Sequence, residues 1–427
     1  MNFRVIIFII PLLGYSQNLN VSDITHKGNT FTKDYVIERE IQHAVGTPLD
    51  SAIAEADKNR LINLGIFADV QWRAIPLEDR SVILEYRIIE NDDFFGGRFI
   101  GLGAPVYDEK TGWSFTGGGF LKNFRGRNEQ IGFGFSTGGF NTVAFAYSNP
   151  WISGDHISFG SDIVKNKYDH PFLNYNIEIK SFEINVGRYF GYQRKTSIGF
   201  ELEEFHFITD TEFSKYQYIA PQGSFAYDTR DLYDNPRKGV LLREMFFSRF
   251  DINGEIERNI TWIQSLSIYK QLNNFKTDKP LILAWGATSQ MNIGIKDQRF
   301  LSAMGSGNTV RGFSYPNRLV FSDTNQKYRF GFNNFYTSIE IRKIFIPRKV
   351  IADRYEFGLT VASFIDYGAT TSDHFTKLLK TEGIGSTGFS LQFQGPWPSI
   401  IRIDYGWGFY RNKLAQSAIH LEIGHKI

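Results

Sequence analysis

A chain of 427 residues with 47 Lys and Arg against 45 Asp and Glu carries a net charge of only +2, which leaves no basic surface for nucleic acid. With no Cys it forms no disulfide, thiolate metal site or cysteine nucleophile. Aromatics reach 16%, with 40 Phe, 21 Tyr and 40 Gly, a balance foreign to a helical enzyme and expected where strands pack tightly inside aromatic-banded membrane barrels.

In chain order, Met1 to Arg4 is a short positive start, Val5 to Leu13 an apolar run, and Gly14 and Ser16 set small residues before Gln17. Residues 1–16 therefore read as a secretory signal peptide. The run is well short of the ~20 apolar residues a spanning helix needs, and no later segment supplies them, so any membrane crossing is expected of strands.

Residues 17–92 predict a small α+β domain in the order strand, helix, helix, strand, strand. Val21 to Thr25 is the first strand. Thr32 is placed to cap a helix running to about Ala44, Gly46-Thr47-Pro48 breaks it, and Asp50 or Ser51 caps the next. There Ala54, Leu61 and Leu64 share a face, Gly65 suits a left-handed terminus and Phe67 packs back. Ala68 to Ala74 and Val82 to Ile89 read as strands.

From residue 93 to 427 the pattern is alternation. Phe335, Thr337, Ile339 and Ile341 face one way; Tyr336, Ser338, Glu340 and Arg342 face the other. Phe357, Leu359, Val361 and Ile365 alternate with Thr360, Phe364 and Asp366, and Ile401, Ile403 and Tyr405 with Arg402 and Asp404. One face suits lipid and the other water. About eleven such strands precede a loop at about residues 294–333 and about five follow, giving an even total near sixteen. That loop exceeds the ~15 residues beyond which an unstructured connection usually has a function or is disordered.

Three motifs stand out. Asp228, Arg230 and Asp231, then Pro236 and Gly239, suit a tight turn with Asn235-Pro236 setting the bend. Val310, Arg311, Gly312 and Phe313 lie in the long loop, where an arginine beside the flexible Gly305-Ser306-Gly307 can fold inward to a carboxylate. Phe364, Asp366 and Gly368 lie on a later strand, with Asp366 on the water face. A hydrolase would need a Ser, His and carboxylate on one face, and the eight His show no such constellation: His420 and His425 are of opposite parity, and His156, His170, His206 and His374 read as loop or lumen residues. The chain is therefore not read as an enzyme, and no catalytic residue, cofactor or metal is assigned.

In this order and strand context the motifs resemble the outer-membrane assembly superfamily of POTRA-plus-barrel proteins, which includes BamA-type insertases, TamA-type relatives and two-partner-secretion transporters. The resemblance covers nearly the whole mature chain. It implies an all-β transmembrane barrel of about 16 antiparallel strands in the bacterial outer membrane, preceded by one small α+β POTRA domain in the periplasm. It also implies that Arg311 lies in the lumen and pairs with Asp366 and Glu340, as a structural lock or with a direct part in gating. Alternation independently puts both carboxylates on the lumen face.

The implied partners are unfolded outer-membrane or secreted protein clients and the lipid bilayer, with accessory subunits left open and no nucleic acid. The expected function is to bind clients through the POTRA domain, at the Ala68 to Ala74 edge, and to insert or transport them through the barrel. The alternative is a passive outer-membrane pore or a two-partner-type secretion transporter. Gly96, Gly97, Gly101 and Gly103 weaken the first barrel strand, which makes its seam with the last strand the easiest to open, unless these glycines serve only to fit aromatic neighbours.

Overall fold

The computed structural model describes residues 19–91, 99–154, 156–209, 213–254, 259–273, 277–294, 300–351, 355–395 and 400–427. The expected signal peptide, Gly96 and Gly97 lie outside them. The first unit runs β1 (Asn20–Lys27), α1 (Asp34–Glu38), α2 (Ser51–Asn63), β2 (Phe67–Pro76) and β3 (Ser81–Glu90). Its sheet has the order β1-β3-β2, with β1 parallel and β2 antiparallel to the central β3. Val36, Ile37, Ala54, Leu61, Val70 and Leu84, all without exposure, form the core between helices and sheet.

The sequence dictates most of these boundaries. Asp50 caps α2 by accepting from the amides of Ala52 (2.7 Å) and Ile53 (3.3 Å), and Gly65 leaves the helix at φ +69°. The first helix is shorter than its pattern suggests. It stops at Glu38 because the Asp57 carboxylate takes the amides of Gln42 (3.0 Å) and His43 (3.1 Å), drawing the chain off the helical path. Thr32 caps nothing; its hydroxyl donates to Glu90 Oε1 at 2.5 Å and accepts from Asn123 at 2.8 Å.

The second unit is a 16-stranded sheet in which each strand pairs antiparallel with its chain neighbours. Its first strands are β4 (Phe99–Asp108), β5 (Gly112–Phe124), β6 (Glu129–Gly138), β7 (Phe140–Ser153), β8 (Ile157–Asp169) and β9 (Asn176–Phe190). Then come β10 (Arg194–Ile208), β11 (Phe213–Asp228), β12 (Gly239–Asp251), β13 (Asn259–Gln271) and β14 (Leu281–Gly294). The connection to β17 (Asn333–Ile351) carries a small ribbon, β15 (Ser302–Ala303) with β16 (Phe330–Gly331), and α3 (Arg318–Ser322). The sheet ends with β18 (Tyr355–Thr371), β19 (Ile384–Gln394), β20 (Ile401–Tyr410) and β21 (Lys413–Ile423).

Eleven strands thus precede the loop and five follow. Ile339, Ile341, Ile365 and Ile419 are exposed on the outer face, while Ser338, Glu340, Arg342, Asp366, Arg402 and His420 are buried on the inner one. This is a barrel with inverted polarity, its apolar side turned outward. Among the described residues no ladder joins β4 to β21, so the cylinder is nearly closed with one unzipped seam.

The small domain seats on one mouth of the barrel. Lys33 donates its amide to Gly126 O (2.9 Å) in the β5–β6 turn, and Tyr192 of the β9–β10 turn donates to Arg39 O (2.6 Å).

Candidate lumen site and its junctions

The long loop enters the barrel because its backbone fits against β20. Gly312 has φ +84°, and a Cβ there would lie 2.8 Å from Gly408 N and 2.9 Å from Gly406 C, so any larger residue would push the loop off the wall. Its neighbours Val310 and Phe313 bury beside Met304 and Ile384. This anchoring holds Arg311 over β17 and β18.

Arg311 then meets both predicted carboxylates. Its Nε donates to Asp366 Oδ2 (2.9 Å) and Nη2 to Asp366 Oδ1 (2.8 Å), a two-point fork that only a planar guanidinium makes. Nη1 donates to Glu340 Oε1 (2.6 Å), Nη2 also to Ser338 Oγ (3.0 Å), and the Arg311 amide to Asp366 Oδ2 (3.0 Å). The guanidinium carbon lies 3.5 Å from the centroid of the Phe364 ring. Gly368 completes the strand motif by leaving room for Val310, whose Cγ2 would sit 2.7 Å from an added Cβ. Each residue of the two motifs therefore has a separate geometric task.

The network extends beyond these. Arg342 Nε pairs with Glu340 Oε2 (2.7 Å), Arg402 Nε with Asp404 Oδ2 (2.7 Å), Arg311 Nη1 approaches Asp404 Oδ1 (3.7 Å), and Lys426 Nζ reaches Asp366 Oδ2 (2.5 Å). All these side chains are at most 1% exposed. Arg342, Arg402 and Asp404 were legible as inward by parity but not as partners of Arg311. Lys426 follows the last strand, where no alternation assigns it a face. Asn308 Nδ2 binds Glu422 Oε2 (2.9 Å), and Arg402 Nη2 holds Gly307 O (2.8 Å), so β20 and β21 grip the loop directly.

The turn motif lies between β11 and β12, at the mouth where the small domain sits. Arg230 forks onto Asp228 at 2.9 and 2.7 Å, Asp231 Oδ1 accepts from the amides of Arg237 (2.9 Å) and Lys238 (3.2 Å), and Gly239 begins β12. Asn235, next to Pro236, is buried at the mouth, and Asp234 O meets His425 Nε2 at 2.5 Å. The turn also touches α2: Asn63 accepts from Tyr233 N (3.0 Å) and donates to Asp231 O (3.2 Å). None of these residues reaches Arg311 directly.

Two titratable groups mark the same junction. Glu40 is 5% exposed, and burial pushes its carboxyl up to about 7 despite Arg39 and Arg60 nearby. His156 stacks between Trp151 (3.8 Å) and Tyr189 (3.9 Å), and burial, reinforced by Arg39, pulls its imidazole down to about 4. In the small domain β2 is an edge strand, its far side unpaired among the described residues. Among the described residues no group of His and carboxylates is arranged to hold a metal ion. A buried charge network of this kind holds a loop against the barrel wall.

Comparison with known proteins agrees with this architecture. The family model described as the Omp85 superfamily domain matches residues 123–427, and the POTRA model, described as a surface antigen variable number repeat, matches residues 19–91. Outer membrane protein assembly factor BamA of Neisseria meningitidis serogroup B is 23% identical over 154 residues, 36% of this chain and 19% of that protein. The chain therefore spans about a fifth of that curated relative. BamA from Haemophilus ducreyi lacking POTRA domains 1-3 shares the fold at a TM-score of 0.55 and 16% identity, over 94% of this chain and 83% of that one. CdiB from Acinetobacter baumannii does so at 0.56 and 14%, over 95% and 74%.

Proposed function

We propose that this chain, which belongs to the Omp85 superfamily, is an outer-membrane protein assembly or translocation factor that handles polypeptide clients without covalent chemistry. It lies in the outer membrane, with its POTRA domain in the periplasm. The carrying observation is the seam: among the described residues fifteen of the sixteen strand junctions are laddered, and the remaining one, β4 against β21, lies beside a loop pinned inside the lumen. An unzipped edge pair is where an incoming strand would find free backbone donors and acceptors.

In this reading the client is first met at the β2 edge of the POTRA domain, where an extended segment adds as a further strand. Arg311, Asp366 and Glu340 hold the arginine loop and set the barrel's shape. The energy comes from burial of client strands against lipid.

Depletion of the protein followed by a census of outer-membrane, surface and secreted proteins tests this. A selective loss of one set is expected and identifies the clients as inserted or secreted. An unchanged census contradicts the reading.

A further inference from the structure

The arginine loop lies across the seam, touching both of its sides. On one side, Glu109 in the β4–β5 turn accepts from Gly307 N (3.4 Å), and Lys110 Nζ sits 5.2 Å from the Tyr315 ring. On the other, Glu422 of β21 takes Asn308 (2.9 Å) and Gln416 donates to Ser314 Oγ (3.1 Å). His420 of β21 belongs to both sets. Its Nε2 accepts the Gly312 amide at 2.9 Å, and its Nδ1 meets the Glu109 carboxylate across the seam.

We propose that His420 is a positioning residue that couples the seam to the arginine loop, so that separation of β4 from β21 and release of the loop are one event. A backbone amide can only donate, so Nε2 must present its lone pair to Gly312, and the ring proton then resides on Nδ1, aimed at Glu109. One fully buried ring on β21 is therefore fixed by two partners, Glu109 from across the unladdered junction and Gly312 from the arginine loop. When Glu109 withdraws, the proton and the orientation of the imidazole lose their anchor. The grip on Gly312, the residue next to Arg311, weakens with them. The coupling has consequences for client passage only if the seam is where clients pass, as proposed above.

The test uses the full chain in lipid vesicles. Because the protein has no Cys, Leu319→Cys in the 80%-exposed position of α3 gives a unique spin label on the loop. Glu109→Ala and His420→Ala should each raise the population of the mobile loop state about tenfold, the factor set by about 1.4 kcal/mol of charge-assisted hydrogen bonding. The double variant should add little to either. Glu109→Gln, whose amide oxygen still accepts the Nδ1 proton, should keep most of the restraint.

A label unmoved by Glu109→Ala, multiplicative effects in the double variant, or a Gln variant as loose as the Ala variant would each overturn the proposal. Should His420→Ala fail to give a folded, heat-modifiable barrel, the two Glu109 variants decide alone. The label reports the loop and not the clients, so this coupling and the assembly role stand or fall separately.

Discussion

At the scale of single residues, Arg311 is a buried cation whose three guanidinium nitrogens each donate to an acceptor, so its replacement exposes the cost of the network directly. Arg311→Ala leaves Asp366 with Lys426 and Glu340 with Arg342, and breaking one member of such a buried set costs about 3–5 kcal/mol. The expected result is a lower midpoint for heat- or urea-induced loss of the barrel band, with Arg311→Lys falling between, because an ammonium keeps the charge and loses the fork onto Asp366. A wild-type midpoint in the Ala variant would show that the loop is held by Gly312 packing alone.

Glu40 gives a second residue-scale expectation, with a pH signature. Its folded value of about 7 lies above the ordinary 4.5, so its contribution to stability is complete below the ordinary value and is lost as pH rises through about 7. That displacement corresponds to about 3 kcal/mol. The junction between POTRA domain and barrel should therefore be weaker at pH 8 than at pH 5, and Glu40→Gln should remove the difference by stabilising it at pH 8. Hydrogen exchange of α1 and α2 at the two pH values reads this out.

At the scale of elements, the β11–β12 turn touches both α2, through Asn63, and the tail after β21, through His425. Asn63→Ala should broaden the distribution of POTRA orientations, measured by spin-label distances between α2 and β12, and leave barrel melting unchanged. A distribution as narrow as wild type would assign the orientation to Tyr192 and the Lys33 contact instead. The same scale shows where sequence reasoning works. Alternation put Glu340 and Asp366 on one face without any structure, because a strand has a period of two and the lipid side tolerates no charge. It could not find the end of α1, which is decided by Asp57 fourteen residues away from His43. Nor could it place Lys426 or Glu109, since both lie just outside strands, where side-chain direction is set by tertiary contacts. The sequence leaves the glycines of β4 two roles, a weakened seam or a fit to aromatic neighbours. At Gly103 an added Cβ would come within 2.9 Å of the Phe115 ring, which favours the fit to an aromatic neighbour at that position.

At the scale of the whole molecule, the polarity is that of a membrane barrel, with apolar rings outside and ion pairs inside, and the one junction without a ladder among the described residues is bridged from within by the loop. In the proposed function that junction must be able to part. One cysteine on β4 and one on β21, in a chain with no native Cys, allow the seam to be closed by a short cleavable thiol crosslinker. Client assembly should stop when the crosslink forms, recover when it is cleaved, and be unaffected by reagent when only one cysteine is present. Full client assembly with the seam crosslinked would contradict the account.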